Sequence, residues 1–319
     1  MTQLFNKVLK RAVSGLFAAV LLAGSVFAFA GCSSSTPKVT MTVTFNDKDY
    51  NISYKLYRKF FPATVQHFIE LADAGYYDGL CFHDYQSGTG MFTGGYVYDE
   101  TKSGDDNTRG LVSRDYFSWL EENDVTLTQS VFREVAAGKV PTEGTNTLVG
   151  EFEQNNYTIK NNDKKYGSKK DGALVMYYTP KTDAKTTYVT VKRNTKISEP
   201  QSSWEKGAEW YDSRNYAYNS ATSLFYVSFT NESSVNKNYC VFGELYDDDA
   251  QTQYSALKSA ISSYISTNVN ADEGESFVEQ TAALPVDSED FYYKNYNLTA
   301  TYEVPVSPIV IKKVKVNRY

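Results

Sequence analysis

Few side chains in this sequence are placed to do chemistry. The two histidines, His67 and His83, stand at no spacing that would share a metal ion with other ligands, so neither a metal nor a cofactor is expected. His83 reads as a packed, hydrogen-bonded strand residue rather than a base. Of the three cysteines, Cys32 follows Phe29-Ala30-Gly31, while Cys81 and Cys240 fall in strand-like stretches. Those two are open to either reading, a disulfide or a pair of buried thiols. The acidic triplet Asp247–Asp249 suits a helix cap and solvated turn better than a calcium loop.

The elements that must hold these residues are clearest between Tyr50 and Gly95. Ile52, Tyr54 and Leu56 alternate with Ser53, Lys55 and Tyr57, the period of a strand with one buried face. Pro62 suits the first turn of a helix, and Val65, Phe68, Ile69 and Ala72 recur at three- and four-residue spacing on one face. Gly75 ends that helix. Leu80–Phe82 makes a short apolar strand, and Gly94–Gly95 permits a backbone approach that a Cβ would block. Before this stretch, Val39, Met41, Val43 and Phe45 alternate, with a turn at Asn46–Asp49, so Lys38–Tyr57 reads as a hairpin. Tyr116, Phe117 and Leu120, then Val131, Phe132 and Val135, mark an amphipathic segment closed by Gly138 and Pro141. After the acidic triplet, Tyr254, Leu257, Ile261, Tyr264 and Ile265 form one helical face.

At the start, Lys7, Lys10 and Arg11 precede an apolar run from Leu16 to Ala30, the pattern of an export signal. The run is too short for a confident membrane span. Phe29-Ala30-Gly31-Cys32 resembles the lipobox of bacterial lipoproteins, which implies cleavage before Cys32 and lipidation of its thiol. The alternative is a plain secretory signal cleaved near Ala30. The chain then divides into a leader over 1–31, a polar tether over 32–38 and one domain over 39–319. Insertions are expected at about 96–146, 181–218 and 267–305, the second of them polar and irregular. Without the leader's three cations, 29 basic residues face 38 acidic ones, a net charge near −9. That balance argues against a nucleic-acid partner and against a basic membrane-binding patch. A hydrophobic content of 41% with 27 tyrosines suits a β-rich globule.

The order of strand, proline-started helix, GYYDGLCFH and paired glycines resembles the N-terminal half of the cyclophilins, a family of peptidyl-prolyl cis-trans isomerases. Later blocks follow in family order: Leu148–Phe152, Gly172–Met176, Asn219–Val227, Asn238–Gly243 and Pro308–Val316. The resemblance implies a mainly β fold, a closed antiparallel barrel with two covering helices, and a peptide groove on its outer wall. It also implies proline-containing segments of exported proteins as substrates. Isomerisation about the bond before proline is slow because amide resonance must be lost, so a catalyst holds the ring and donates a hydrogen bond to the prolyl nitrogen.

In the family that donor is an arginine directly after the FH pair, and here the position is Asp84. A carboxylate only accepts hydrogen bonds. Two family glutamines are replaced as well, by Thr93 and Leu224. The apolar part of the site falls at Met91 and Tyr226, which read either as the proline pocket or as barrel core, with Gly90 where an aromatic wall residue is usual; Phe225 and Phe242 read as barrel core. Arg109 and Arg114 are candidates to supply a guanidinium from another direction. The leader and the family resemblance together therefore imply a membrane-anchored, extracytoplasmic isomerase whose activity is weakened or lost. The alternative is a non-catalytic cyclophilin-like module that binds peptide or protein segments. A solute-binding lipoprotein would share the anchor but needs alternating strands and helices, which are absent.

Overall fold

The computed structural model describes residues 34–127, 131–132, 151, 168–176, 187–193, 203–206, 209–216, 223–233, 240–285 and 299–319. The leader, Cys32 and the start of the tether lie outside these residues, as do Val135, Gly138 and Pro141.

Eight strands make the main sheet: β1 (Lys38–Phe45), β2 (Lys48–Leu56), β3 (Asp84–Gln86), β4 (Gly90–Thr93), β5 (Leu174–Met176), β6 (Phe225–Ser228), β7 (Cys240–Leu245) and β8 (Val310–Arg318). Their order is β8-β1-β2-β7-β5-β6-β4-β3, and every pairing is antiparallel. The β1–β2 hairpin turns on Asn46 and Asp47, whose φ angles of 47° and 58° are the left-handed pair that a two-residue turn between twisted strands requires. One segment joins the two edges of the sheet. Gly79 and Phe82 donate backbone N–H groups to Ile311 and Ile309 of and beside β8 (2.7 and 2.9 Å), and Ile311 donates to Leu80 (2.7 Å). A few residues on, His83 donates to Phe92 of β4 (2.9 Å). The sheet thus curls round until its first and last strands share a neighbour, leaving no long unpaired edge.

Alternation fills the inside of the curl with Val39, Met41, Val43, Ile52, Tyr54, Leu56, Leu174, Phe225, Val227 and Phe242, all fully buried. Three helices add to that core: α1 (Pro62–Asp73), α2 (Tyr116–Glu122) and α3 (Asp248–Asn268). From α1, Phe68 stacks on Tyr77 at 4.9 Å, meets Phe225 edge to face at 5.4 Å and packs at a tilt on Phe242 at 5.1 Å. From α3, Tyr254, Leu257 and Ile261 are buried, and Asp247 caps the helix by accepting the Ala250 N–H at 3.0 Å. The acidic triplet is a cap, as its spacing suggests.

The second insertion departs from expectation. Strands over Thr187–Arg193, Ser203–Lys206 and Glu209–Tyr216 pair with one another and with Val131–Phe132. The polar composition of the stretch did not announce them, because a ladder is held by backbone bonds that any side chain permits. In the third insertion Val278–Gln280 pairs with Glu303–Pro305.

Candidate functional site

The candidate site lies where β3, β4 and β6 run side by side. Phe92 of β4 stands opposite both Asp84 and Tyr226, so these three project from one face of the sheet. Phe92 and Tyr226 stack with ring centroids 4.6 Å apart. With Ala173, Val175 and Val241 they form a cluster separate from the main core. Met91 projects the other way. It is 1% exposed among the core side chains, so the expected proline pocket of Met91 with Tyr226 is divided between the two faces of the wall.

The three polar departures have distinct surroundings. Asp84 is 8% exposed, and both its oxygens are engaged: Oδ1 accepts the backbone N–H of Glu303 at 2.9 Å and Oδ2 the Gln86 amide at 2.8 Å. Burial raises its pKa, and those two bonds partly offset the rise. Thr93 is fully buried and donates its hydroxyl to the Cys81 carbonyl at 2.8 Å, a tie between strands rather than a contact for ligand. Leu224 is half-buried and lines a cavity of about 30 Å³ with Gly95, Tyr116, Phe117, Tyr302 and Arg114.

The cavity follows from the paired glycines. A Cβ on Gly94, whose φ is 111°, would sit 2.3 Å from the Ser223 carbonyl oxygen and 2.8 Å from the Leu224 Cα. The two chain segments can approach this closely only because that atom is missing. Tyr76 donates its hydroxyl to the Gly94 carbonyl at 3.0 Å and holds the loop down.

The two candidate arginines separate. Arg109 is paired to Asp106 at 2.6 Å and Glu279 at 3.3 Å and donates Nε to the Gln280 carbonyl, which ties two insertions together. Arg114 lines the cavity. One nitrogen, Nη1, donates to the carbonyls of Tyr76 and Asp78, while a guanidinium has five N–H donors in all.

His83 is 3% exposed, packed between the rings of Tyr96 and Tyr302 at 4.9 Å each. Its backbone N–H is bonded to Phe92, as a strand residue's should be, while its Nδ1 has no hydrogen-bond partner among the described residues. Burial pushes its pKa down to about 3, which keeps the ring neutral. Cys81 and Cys240 are both buried free thiols, and burial pushes Cys81 up to about 12. No cluster of three metal-ligating side chains occurs among the described residues.

One functional neighbour escapes any local reading. The first turn of α1 has no side-chain cap of its own. Its Ala63 and Thr64 N–H groups donate instead to the two carboxylate oxygens of Glu151, at 3.2 and 2.9 Å. Glu151 is 6% exposed, and burial pushes its pKa up to about 7 against the pull of those bonds. Only the resemblance over Leu148–Phe152 marked this residue, because a cap 88 positions away leaves no spacing to read.

A family model described as cyclophilin type peptidyl-prolyl cis-trans isomerase/CLD matches residues 40–259, more than half of the chain. The chain belongs to this family. Among solved structures it is similar to the Mimivirus cyclophilin, at 16% identity over 90% of this chain and 92% of that one, with a TM-score of 0.37. A cyclophilin type isomerase of Cryptosporidium parvum is similar at 13% identity over 89% and 99%, with a TM-score of 0.36. No curated protein matches. The family assignment rests on the sequence model. In this cyclophilin β3, β4 and β6 run side by side, and Asp84 of β3 is a carboxylate where the resemblance places the catalytic arginine.

Proposed function

We propose that this cyclophilin is held by a lipid on Cys32 at the outer side of a cell membrane, where it acts on proline-containing segments of exported proteins as a slow isomerase. The anchor and the location are supported by the basic, apolar and FAGC pattern of the leader. The low rate is carried by one observation, the engagement of both Asp84 oxygens by Glu303 and Gln86. A carboxylate so bound offers no proton to a prolyl nitrogen. Arg114, in the wall of the cavity beside Leu224 and Gly95, is the cation nearest in role to the missing donor.

The test is X–Pro isomerisation by the purified chain. The rate expected exceeds the uncatalysed one, falls by about 10²-fold or to background in Arg114→Ala, as loss of a charged donor does, and is unchanged in Arg109→Ala. Labelling with radioactive palmitate, abolished in Cys32→Ala, checks the anchor separately.

The second reading, a non-catalytic module that binds extended segments, is favoured by the same Asp84 geometry. A chain whose rate equals the uncatalysed one, yet which retains proline peptides at equilibrium, belongs to that reading. Asp84→Arg then separates a groove lacking only its charge, which gains activity, from a groove rebuilt throughout, which gains none.

A further inference from the structure

The chain from Cys32 onward is strongly acidic, yet the outer wall made by β8, β1 and β2 is basic. Lys312, Lys313, Lys315 and Arg318 of β8 are exposed. The register sets Arg318 beside Lys38, which lies across from Lys55, while Lys315 and Lys313 stand opposite Thr40 and Thr42. Val39, Met41 and Val43 point inward, so these cations share the outward face. Two acids meet them: Glu244 lies 2.7 Å from Lys55, and Asp49 lies 2.6 Å from Lys312. Lys313 and Lys315 have no acidic partner among the described residues. Between the cations the wall is covered by neutral groups, with Thr40 3.0 Å from Ser53 and donating to Asn317, and Thr42 donating to Asn51. Net charge predicts no such patch, because it does not say where charges gather; strand pairing brings together residues from both ends of the sequence.

The second observation is where the chain enters. Ser34 donates its N–H to the Tyr319 carbonyl and its own carbonyl accepts from Arg58, while Arg318 donates to the carbonyl of Thr36. The backbone is therefore pinned at the Arg318 end of the basic wall two residues after Cys32. Two extended residues span about 7 Å, too little for the domain to stand clear of a bilayer to which Cys32 is fixed.

We infer that the β8–β1–β2 wall is a docking face for an anionic membrane surface, laid against the headgroups by the anchored N-terminus. The orientation rests on the lipid-anchor reading above. Clusters of four to eight cations close to an anchor are the kind that anionic headgroups attract, and a second attachment of this sort adds to the hold of a lipid chain. In the strand order β6 is half-way round the eight strands from β1. Docking would thus turn β6 away from the membrane.

The test keeps the anchor and the wall apart. The intact mass of the purified chain reports whether Cys32 carries lipid. The chain is then placed on phosphatidylcholine vesicles with and without phosphatidylglycerol, and amine labelling of single lysines is read by mass spectrometry. Lys313 and Lys315 should label about fivefold or more slowly on the anionic vesicles, with the protection removed by high salt, while Lys102 and Lys258 label equally on both. Lys313→Glu combined with Lys315→Glu should weaken attachment to anionic vesicles by about tenfold or more and leave attachment to neutral ones unchanged. Equal labelling of the wall on both vesicles, in a chain whose mass shows the lipid, overturns the docking face and leaves the anchor standing. Protection without lipid on Cys32 supports the face and overturns the anchor. Protection matched by a DNA duplex at equal charge overturns the assignment to a lipid surface.

Discussion

A carboxylate at position 84 accepts hydrogen bonds and gives none, and here a backbone N–H from 219 residues away takes one of its oxygens. Asp84 is therefore a structural tie at a place where the family resemblance led one to look for a donor. Asp84→Ala should cost about 1–3 kcal/mol in chemical denaturation, the penalty for leaving a shielded N–H unpaired, whereas Asp84→Asn, which keeps an acceptor, should cost less. Two other buried groups set the pH dependence. Glu151 has its pKa raised from 4.5 to about 7, so its contribution is complete below pH 4.5 and is lost as pH rises toward 7. His83 has its pKa lowered from 6.5 to about 3, so its contribution is complete above pH 6.5 and is lost as pH falls toward 3. Each has a slope of about 1.4 kcal/mol per pH unit, of opposite sign. Between roughly pH 4.5 and 6.5 these two contributions should offset each other. In Glu151→Gln the offset should give way to a rise with pH, read from denaturant midpoints across that window; an unaltered profile would contradict the assignment.

Helix α1 shows how a well-signalled element can still depend on something its own sequence omits. Pro62 and the apolar spacing predict its start and its buried face, and Thr64, Val65, Phe68, Ile69 and Ala72 are buried as a face should be. Its N-terminal donors are satisfied only when Glu151 arrives in three dimensions. The paired-glycine loop is the reverse case, because a missing Cβ is visible in sequence while the object it admits is not. Gly94→Ala would force that atom to within 2.3 Å of the Ser223 carbonyl oxygen at a φ of 111°. The expected result is a loss of about 2–4 kcal/mol of stability, of the size seen for overpacking with backbone strain, together with displacement of Leu224 from the cavity. Gly104→Ala, where the added atom meets nothing within 4 Å, is the control.

Closure of the sheet ties the whole chain together through its last strand. β8 pairs with β1 along nearly its full length and also receives Gly79–Phe82, burying Ile309, Ile311 and Val314. A chain ending at Ser307 would leave an edge of β1 unpaired and open the core. It should show no cooperative unfolding transition in urea, whereas removal of Tyr319 alone should leave the transition in place. A truncated chain that unfolded cooperatively would mean that the curl is complete without β8.

The strands β1 and β2, helices α1 and α3 and the close approach at Gly94 were legible because each is written in local periodicity, a proline or a glycine. The ordered blocks from GYYDGLCFH to Pro308–Val316 were enough to anticipate the cyclophilin fold. What the linear chain left undecided depends on which residues meet across the sheet. Whether Met91 or Phe92 stands beside Tyr226 turns on a one-residue register, since neighbours in a strand face opposite ways. That Asp84 binds Glu303, that Glu151 caps α1 and that lysines of β8 join Lys38 in a basic wall are all pairings between distant positions. Spacing within a strand or helix reports only its own faces, so such pairings exist nowhere until the barrel has formed.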